Sequence, residues 1–127
     1  MKFVALVLFA CTLLASPQKQ RKPADVKILE TRAARDAGNI SVDGRVSVTR
    51  EKPLRGLVIV FDFRSPEKEV VTSQKTVISE DTLEAGQEGS FHNKLVDAPR
   101  AVRYTIRAFD FHDKELRVEN PGPYIIE

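Results

Sequence analysis

Asn39-Ile40-Ser41-Val42-Asp43-Gly44-Arg45-Val46-Ser47-Val48-Thr49 is the stretch on which the fold of this chain turns. Ile40, Val42, Val46 and Val48 take the even positions, while Ser41, Asp43, Arg45, Ser47 and Thr49 take the odd ones. Successive side chains of a strand point to opposite faces, so this is one strand with a dry side and a wet side. Asp43-Gly44 at its centre is a type I′ hairpin cue. A turn there would leave two strands of about four residues and discard the in-out register that carries Val42 and Val46 on one face. The segment is therefore read as a single strand.

The same period recurs downstream. Val102, Tyr104, Ile106 and Ala108 alternate with Arg103, Thr105 and Arg107, and between the two alternating segments lie an apolar run from Leu57 to Phe63, a β-branched run from Val70 to Ile78 and a short stretch around Phe91. Turn-forming sequences separate the runs: Asp36-Ala37-Gly38-Asn39, Glu51-Lys52-Pro53, Arg64-Ser65-Pro66-Glu67, Glu84-Ala85-Gly86 and Asn120-Pro121-Gly122-Pro123. With no convincing amphipathic helix, the pattern predicts an all-β, antiparallel β-sandwich of about seven strands over residues 25–127. Its core should include Val42, Val46, Val48, Val102, Tyr104 and Ile106. Ile106→Asp should then unfold the domain, and Arg107→Asp should be nearly neutral.

One run breaks the rule of one wet face. Leu57, Ile59, Phe61 and Phe63 form one row, and Leu54, Gly56, Val58, Val60 and Asp62 form the other. An antiparallel strand usually wets one side, so the second apolar row needs a cover. Long side chains of a neighbouring strand, Tyr124-Ile125-Ile126 folding back, or another protein could supply it. The sequence does not decide which row faces inward. Leu57, Ile59, Phe61 and Phe63, the bulkier row, are the candidate interaction surface, for a second copy or an unknown envelope or extracellular protein.

The 127 residues are enough for one domain, and a composition of 42% apolar and 30% charged residues is that of a soluble globule. A formal charge of +2 offers no field for nucleic acid. Residues 1–16 stand apart: Lys2 gives a basic start, Phe3 to Ala15 are almost wholly apolar, and small residues follow. This has the form of a cleavable signal peptide and is too short for a transmembrane anchor. Residues 17–24, with two prolines and no large apolar side chain, read as a flexible tether. The one cysteine, Cys11, lies in the leader. Leu8-Phe9-Ala10-Cys11 loosely matches a lipoprotein signal, which is the alternative to a free periplasmic or extracellular product. Once the leader is removed, no disulfide is available to the domain.

Gly44-x-Val46, Leu54 to Asp62, Val70-Val71, Leu83-x-Ala85-Gly86-Gln87 and Phe91 together resemble the FxLYD-type domain, an immunoglobulin-like sandwich of bacteria and archaea. The motif of that name falls on Val58-Ile59-Val60-Phe61-Asp62, with Val58, Val60 and Phe61 replacing Phe, Leu and Tyr and Asp62 retained. Val48 stands where the family usually has Asn. The resemblance implies an envelope-associated fold and transfers no catalytic residue.

No residue set points to catalysis or to a cofactor. His92 and His112 are the two histidines, and with Asp110 and Asp113 they could offer mixed nitrogen and oxygen ligands to a metal or a hydrolytic centre, but at no recognised spacing. Gly86-x-x-Gly89-Ser90 lacks the order of a nucleophile elbow. Glu80, Asp81 and Glu84 lack that of a calcium loop. Arg103 and Arg107 share a strand face at a spacing that could grip phosphate or sulfate, which is also ordinary for a wet face. Asn39-Ile40-Ser41 is formally a glycosylation sequon. The expected function is that of an exported, noncatalytic module mediating protein–protein contact, with the metal-binding or hydrolytic reading through His92 and His112 as its alternative.

Overall fold

The computed structural model describes residues 23–127, so the leader, Cys11 and most of the tether lie outside the described residues. Eleven strands follow in order: β1 (Val26–Asp36), β2 (Asn39–Val48), β3 (Leu54–Arg55), β4 (Val58–Arg64), β5 (Val70–Val77), β6 (Thr82–Leu83), β7 (Glu88–Val96), β8 (Arg103–Phe109), β9 (Glu115–Leu116), β10 (Val118–Glu119) and β11 (Tyr124–Ile125). Six of them are seven residues or longer and build two layers. Sheet I runs β10-β1-β2-β7, and sheet II runs β11-β8-β4-β5 with β9 also on β8. A small β3-β6 ladder lies apart from both. The protein is an all-β sandwich.

β2 crosses Asp43-Gly44 without turning. It pairs along its length with β1 and with β7, and the even-numbered Ile40, Val42, Val46 and Val48 are all buried. Gly44 shares that inner face directly opposite Phe91, whose ring occupies the space a side chain would need: a Cβ there would lie 2.3 Å from Phe91 Cζ and 2.5 Å from the Glu30 carbonyl oxygen. The turn that does form is Ala37-Gly38, both at positive φ, joining β1 to β2 as a two-residue hairpin.

The core lies between the sheets. Phe61 of sheet II meets Phe91 of sheet I with ring centroids 5.5 Å apart, and Tyr104 and Phe63 flank it at 6.2 and 6.3 Å. Each such side chain, fully buried, contributes roughly 1.5–3 kcal/mol. Tyr104, Ile106, Val42, Val46 and Val48 take the predicted core places, whereas Val102 is half-buried ahead of β8.

Three expectations are corrected. Leu57, Ile59, Phe61 and Phe63 are at most 1% exposed and face the core, so they form no docking surface. Three large apolar side chains spaced two apart on one central strand fill the interior better than Val58 and Val60 could. Leu54 does not belong to the opposite row: Gly56, at φ +58, turns the chain between β3 and β4, and Leu54 is buried against its own partner Leu83. Nor is the sandwich wholly antiparallel, since β10 pairs with β1 in parallel.

Candidate interaction surface

The outer row of β4 is covered by long side chains of its neighbours. Val60 lies between Lys75 of β5 and Arg107 of β8 and is 8% exposed. Next to it, Asp62 is buried between Ser73 and Thr105. Arg107 grips Asp62 with two prongs, Nε at 2.7 Å and a terminal nitrogen at 3.0 Å, and the Ser73 hydroxyl donates at 2.7 Å. Burial is the largest single influence on this carboxyl and pushes its pKa up. The hydrogen bonds from Arg107 and Ser73, with the charges of Arg107 and Arg64, outweigh it and hold Asp62 below the usual carboxylate range. Arg107 is thus the counterion of a buried acid, and Arg107→Asp is not the neutral change its alternation predicts.

Arg107 is also lost to any anion grip with Arg103. Arg103 faces Arg64 on one side and the exposed Ile125 on the other, and Arg64 is itself held by the Thr105 hydroxyl at 3.3 Å and the Lys68 carbonyl at 3.0 Å.

The two histidines are not brought together. His92 stands on the outer face of β7, its Nδ1 2.5 Å from Asp43 Oδ1 in a pair about two-thirds exposed on both sides. This pair borders a shallow groove of about 940 Å³, whose Arg45 is already paired with Glu30 at 3.0 Å and Glu88 at 2.6 Å. His112 lies in the β8–β9 turn, its ring 3.8 Å from that of Phe111 and its backbone N–H donating to Asp110. That carboxylate caps the turn, and the Lys114 and His112 N–H groups lower its pKa. Among the described residues no three His, Cys, Asp or Glu side chains are placed to hold a metal ion, and no helix is long and apolar enough to cross a membrane.

The sides of the sandwich differ. On one, the segment after β8 passes back and forth between the layers: β9 and β11 pair with β8, β10 pairs with β1, and Ile126 bridges Ala33. The Asp25 N–H donates to the Arg117 carbonyl and the Ile106 N–H to the Pro121 carbonyl, so both layers are tied to this clasp.

On the other side, β5 and β7 end their sheets. Bonded and non-bonded pairs alternate in an antiparallel ladder. The Ile78 N–H donates to Leu57, in step with the β4–β5 register, so Ser73, Lys75 and Val77 turn their N–H and C=O groups away from β4. By the same count from the Val48–Gln87 bond, Glu88, Ser90, His92 and Lys94 of β7 turn theirs away from β2. Among the described residues one side-chain bond, Thr76 Oγ1 to the His92 carbonyl at 3.1 Å, crosses between these edges, and no backbone bond does. Val70 and Val77 at the two ends of β5 are exposed. Sequence reading passed over this edge, although β5 carries polar residues on both faces, Thr72, Gln74 and Thr76 inward and Ser73 and Lys75 outward. That is the composition of a sheet margin.

No family model matches the chain, and no curated protein matches it. Solved structures share its architecture at low identity. The C-terminal domain of Wzt is 10% identical, with 88% of this chain and 79% of that one covered at a TM-score of 0.54. Two β-glucuronidase structures from Bacteroides uniformis, one of them a calcium-binding mutant of β-glucuronidase 2, are 15% and 12% identical over 74% and 72% of this chain, with TM-scores of 0.53 and 0.51. The chain spans 14% and 13% of their lengths. These likenesses concern the fold alone, a two-layer β-sandwich.

Proposed function

We propose that this chain is an exported, noncatalytic interaction module of the cell envelope or exterior, an immunoglobulin-like sandwich that takes its partner along the open side by strand addition. The observation that carries this reading is the asymmetry of the sandwich: one side is clasped by residues 115–127, while the other presents two edges of eight and nine residues with outward-turned backbone groups. An extended segment laid on such an edge is held by main-chain hydrogen bonds and selected by its side chains. The strand order supports the immunoglobulin-like assignment, since β1-β2-β7 faces β8-β4-β5 and the chain changes layer between β2 and β4, between β5 and β7 and between β7 and β8. The basic start, apolar run and small residues of 1–16 support export.

Site-specific photocrosslinking in the native host tests the reading. A crosslinker at Ser73 or His92 should yield protein adducts, and one at Glu119 on the clasped side should not. Adducts confined to Glu119, or none at either edge, would overturn it.

A further inference from the structure

The partner that β5 fits best is a second copy of itself. This inference rests on the strand-addition reading above and adds the identity of the occupant. Residues 71–77 read Val-Thr-Ser-Gln-Lys-Thr-Val, a sequence nearly symmetric about Gln74. Two copies of β5 laid antiparallel about a two-fold axis at Gln74 place Thr72 opposite Thr76, Val71 opposite Val77 and Ser73 opposite Lys75. Like β-branched and Thr–Thr cross-strand pairs are favourable.

Backbone geometry selects among registers. Ser73, Lys75 and Val77 are the residues whose N–H and C=O groups point outward, so a paired strand must set odd-numbered positions opposite odd-numbered ones. Of the two-fold registers that do so, the one centred on Lys75 sets two ammonium groups face to face. The one centred on Ser73 sets Lys75 opposite Val71. Centred on Gln74, Lys75 comes opposite Ser73 of the second copy, whose hydroxyl donates to Asp62, so the ammonium arrives beside the ionised carboxylate. A lysine in mid-edge normally deters pairing. Of these three registers, only the one centred on Gln74 gives that lysine a carboxylate.

We propose that the protein forms a two-fold dimer through β5, in which the two copies of sheet II become one continuous sheet and the exposed Val77 of each copy comes alongside Val71, the bulge residue of β5, in the other.

Analytical ultracentrifugation of the purified chain from low micromolar to about 100 µM, with two variants, tests this. The chain should sediment at twice the monomer mass at the upper end. Lys75→Pro removes an outward N–H without touching the β4 ladder, so it should leave a folded monomer by circular dichroism. In a Cys11→Ser background, Gln74→Cys should form an intermolecular disulfide spontaneously, because residues on the axis face each other as a non-bonded pair, whereas Ser73→Cys should not. A chain monomeric throughout would overturn the proposal, as would a dimer unaffected by Lys75→Pro or one crosslinked through Ser73→Cys but not Gln74→Cys. Failure here, with crosslinks in the host from Ser73 or His92 to a different protein, would leave the strand-addition reading standing; absence of those crosslinks would remove both.

Discussion

Arg107 and Asp62 form an ion pair that is open to water on one side: the guanidinium side chain is 42% exposed, the carboxylate side chain 7%. Removing the exposed partner strands the buried one. Loss of one member of a fully buried pair costs about 3–5 kcal/mol, and the exposure of Arg107 reduces this to about 2–3 kcal/mol for Arg107→Ala. Asp62→Asn, which leaves a solvated arginine and a neutral amide, should cost about 1 kcal/mol less. Urea denaturation at neutral pH measures both.

The pair also fixes a pH dependence. Asp62 has a lowered pKa in the folded state, so it contributes stability above the ordinary carboxylate pKa of about 4, and that contribution disappears as pH falls through the folded value. Without Arg107 the largest influence that lowers this pKa is gone, while the burial that raises it remains. The stability gap between wild type and Arg107→Ala should therefore narrow as pH is lowered below about 4. A gap that stayed constant from neutral pH to pH 3 would show that Asp62 does not titrate through this pair.

Phe61 tests the placement of the bulky row. Its ring is fully buried among Phe63, Phe91 and Tyr104. Phe61→Ala should cost about 3–5 kcal/mol, and Phe61→Lys should abolish the cooperative unfolding transition. A folded Phe61→Lys protein would contradict the core described above.

Gly44 and Gly38 separate crowding from backbone strain. Gly44→Ala drives a methyl into Phe91 and into the Glu30 backbone oxygen, which no side-chain rotation relieves, so the cost should reach about 3 kcal/mol. Gly38→Ala meets nothing within 4 Å but sits at φ +81, and should cost about 1 kcal/mol. Thermal denaturation of the two variants should rank them in that order.

Tyr104 and Thr31 should respond unequally. Thr31 Oγ1 donates to the Asp43 carbonyl at 3.1 Å, so it accepts from the Tyr104 hydroxyl at 2.8 Å. Tyr104→Phe removes a donor and should cost about 1 kcal/mol. Thr31→Val leaves the buried phenol without its acceptor and should cost about 2 kcal/mol. Chemical denaturation of both variants checks the order.

β2 was legible because its alternation is unbroken over ten residues, and β8 for the same reason. β1 is longer and escaped notice. Its inward residues are Val26 and Ile28 before Leu29, but Thr31 and Ala33 after it, because a bulge at Leu29 shifts the register by one. A period-two reading loses its phase at such a point. Gly56 hid the place of Leu54 in the same way. The inward row of β4 was undecidable locally, since the cover on its other row comes from Lys75 and Arg107, which only pairing brings alongside. Being an edge is a property of topology too. The polar residues on both faces of β5 are its one local sign, and only the pairing of the other strands shows that β5 is left open on one side.

The clasp has a consequence in time. Arg117 receives its backbone partner, the Asp25 carboxylate, from 92 residues upstream, and Asn120 reaches the Ile28 carbonyl across the same interval. Contacts of such sequence separation make folding slow for a chain of this size, because nearly the whole loop must be closed before they form. The ties that the clasp adds between the layers cannot form until residues 115–127 are available. A chain that lacks those residues therefore lacks every bond by which the clasp joins β1 to β8.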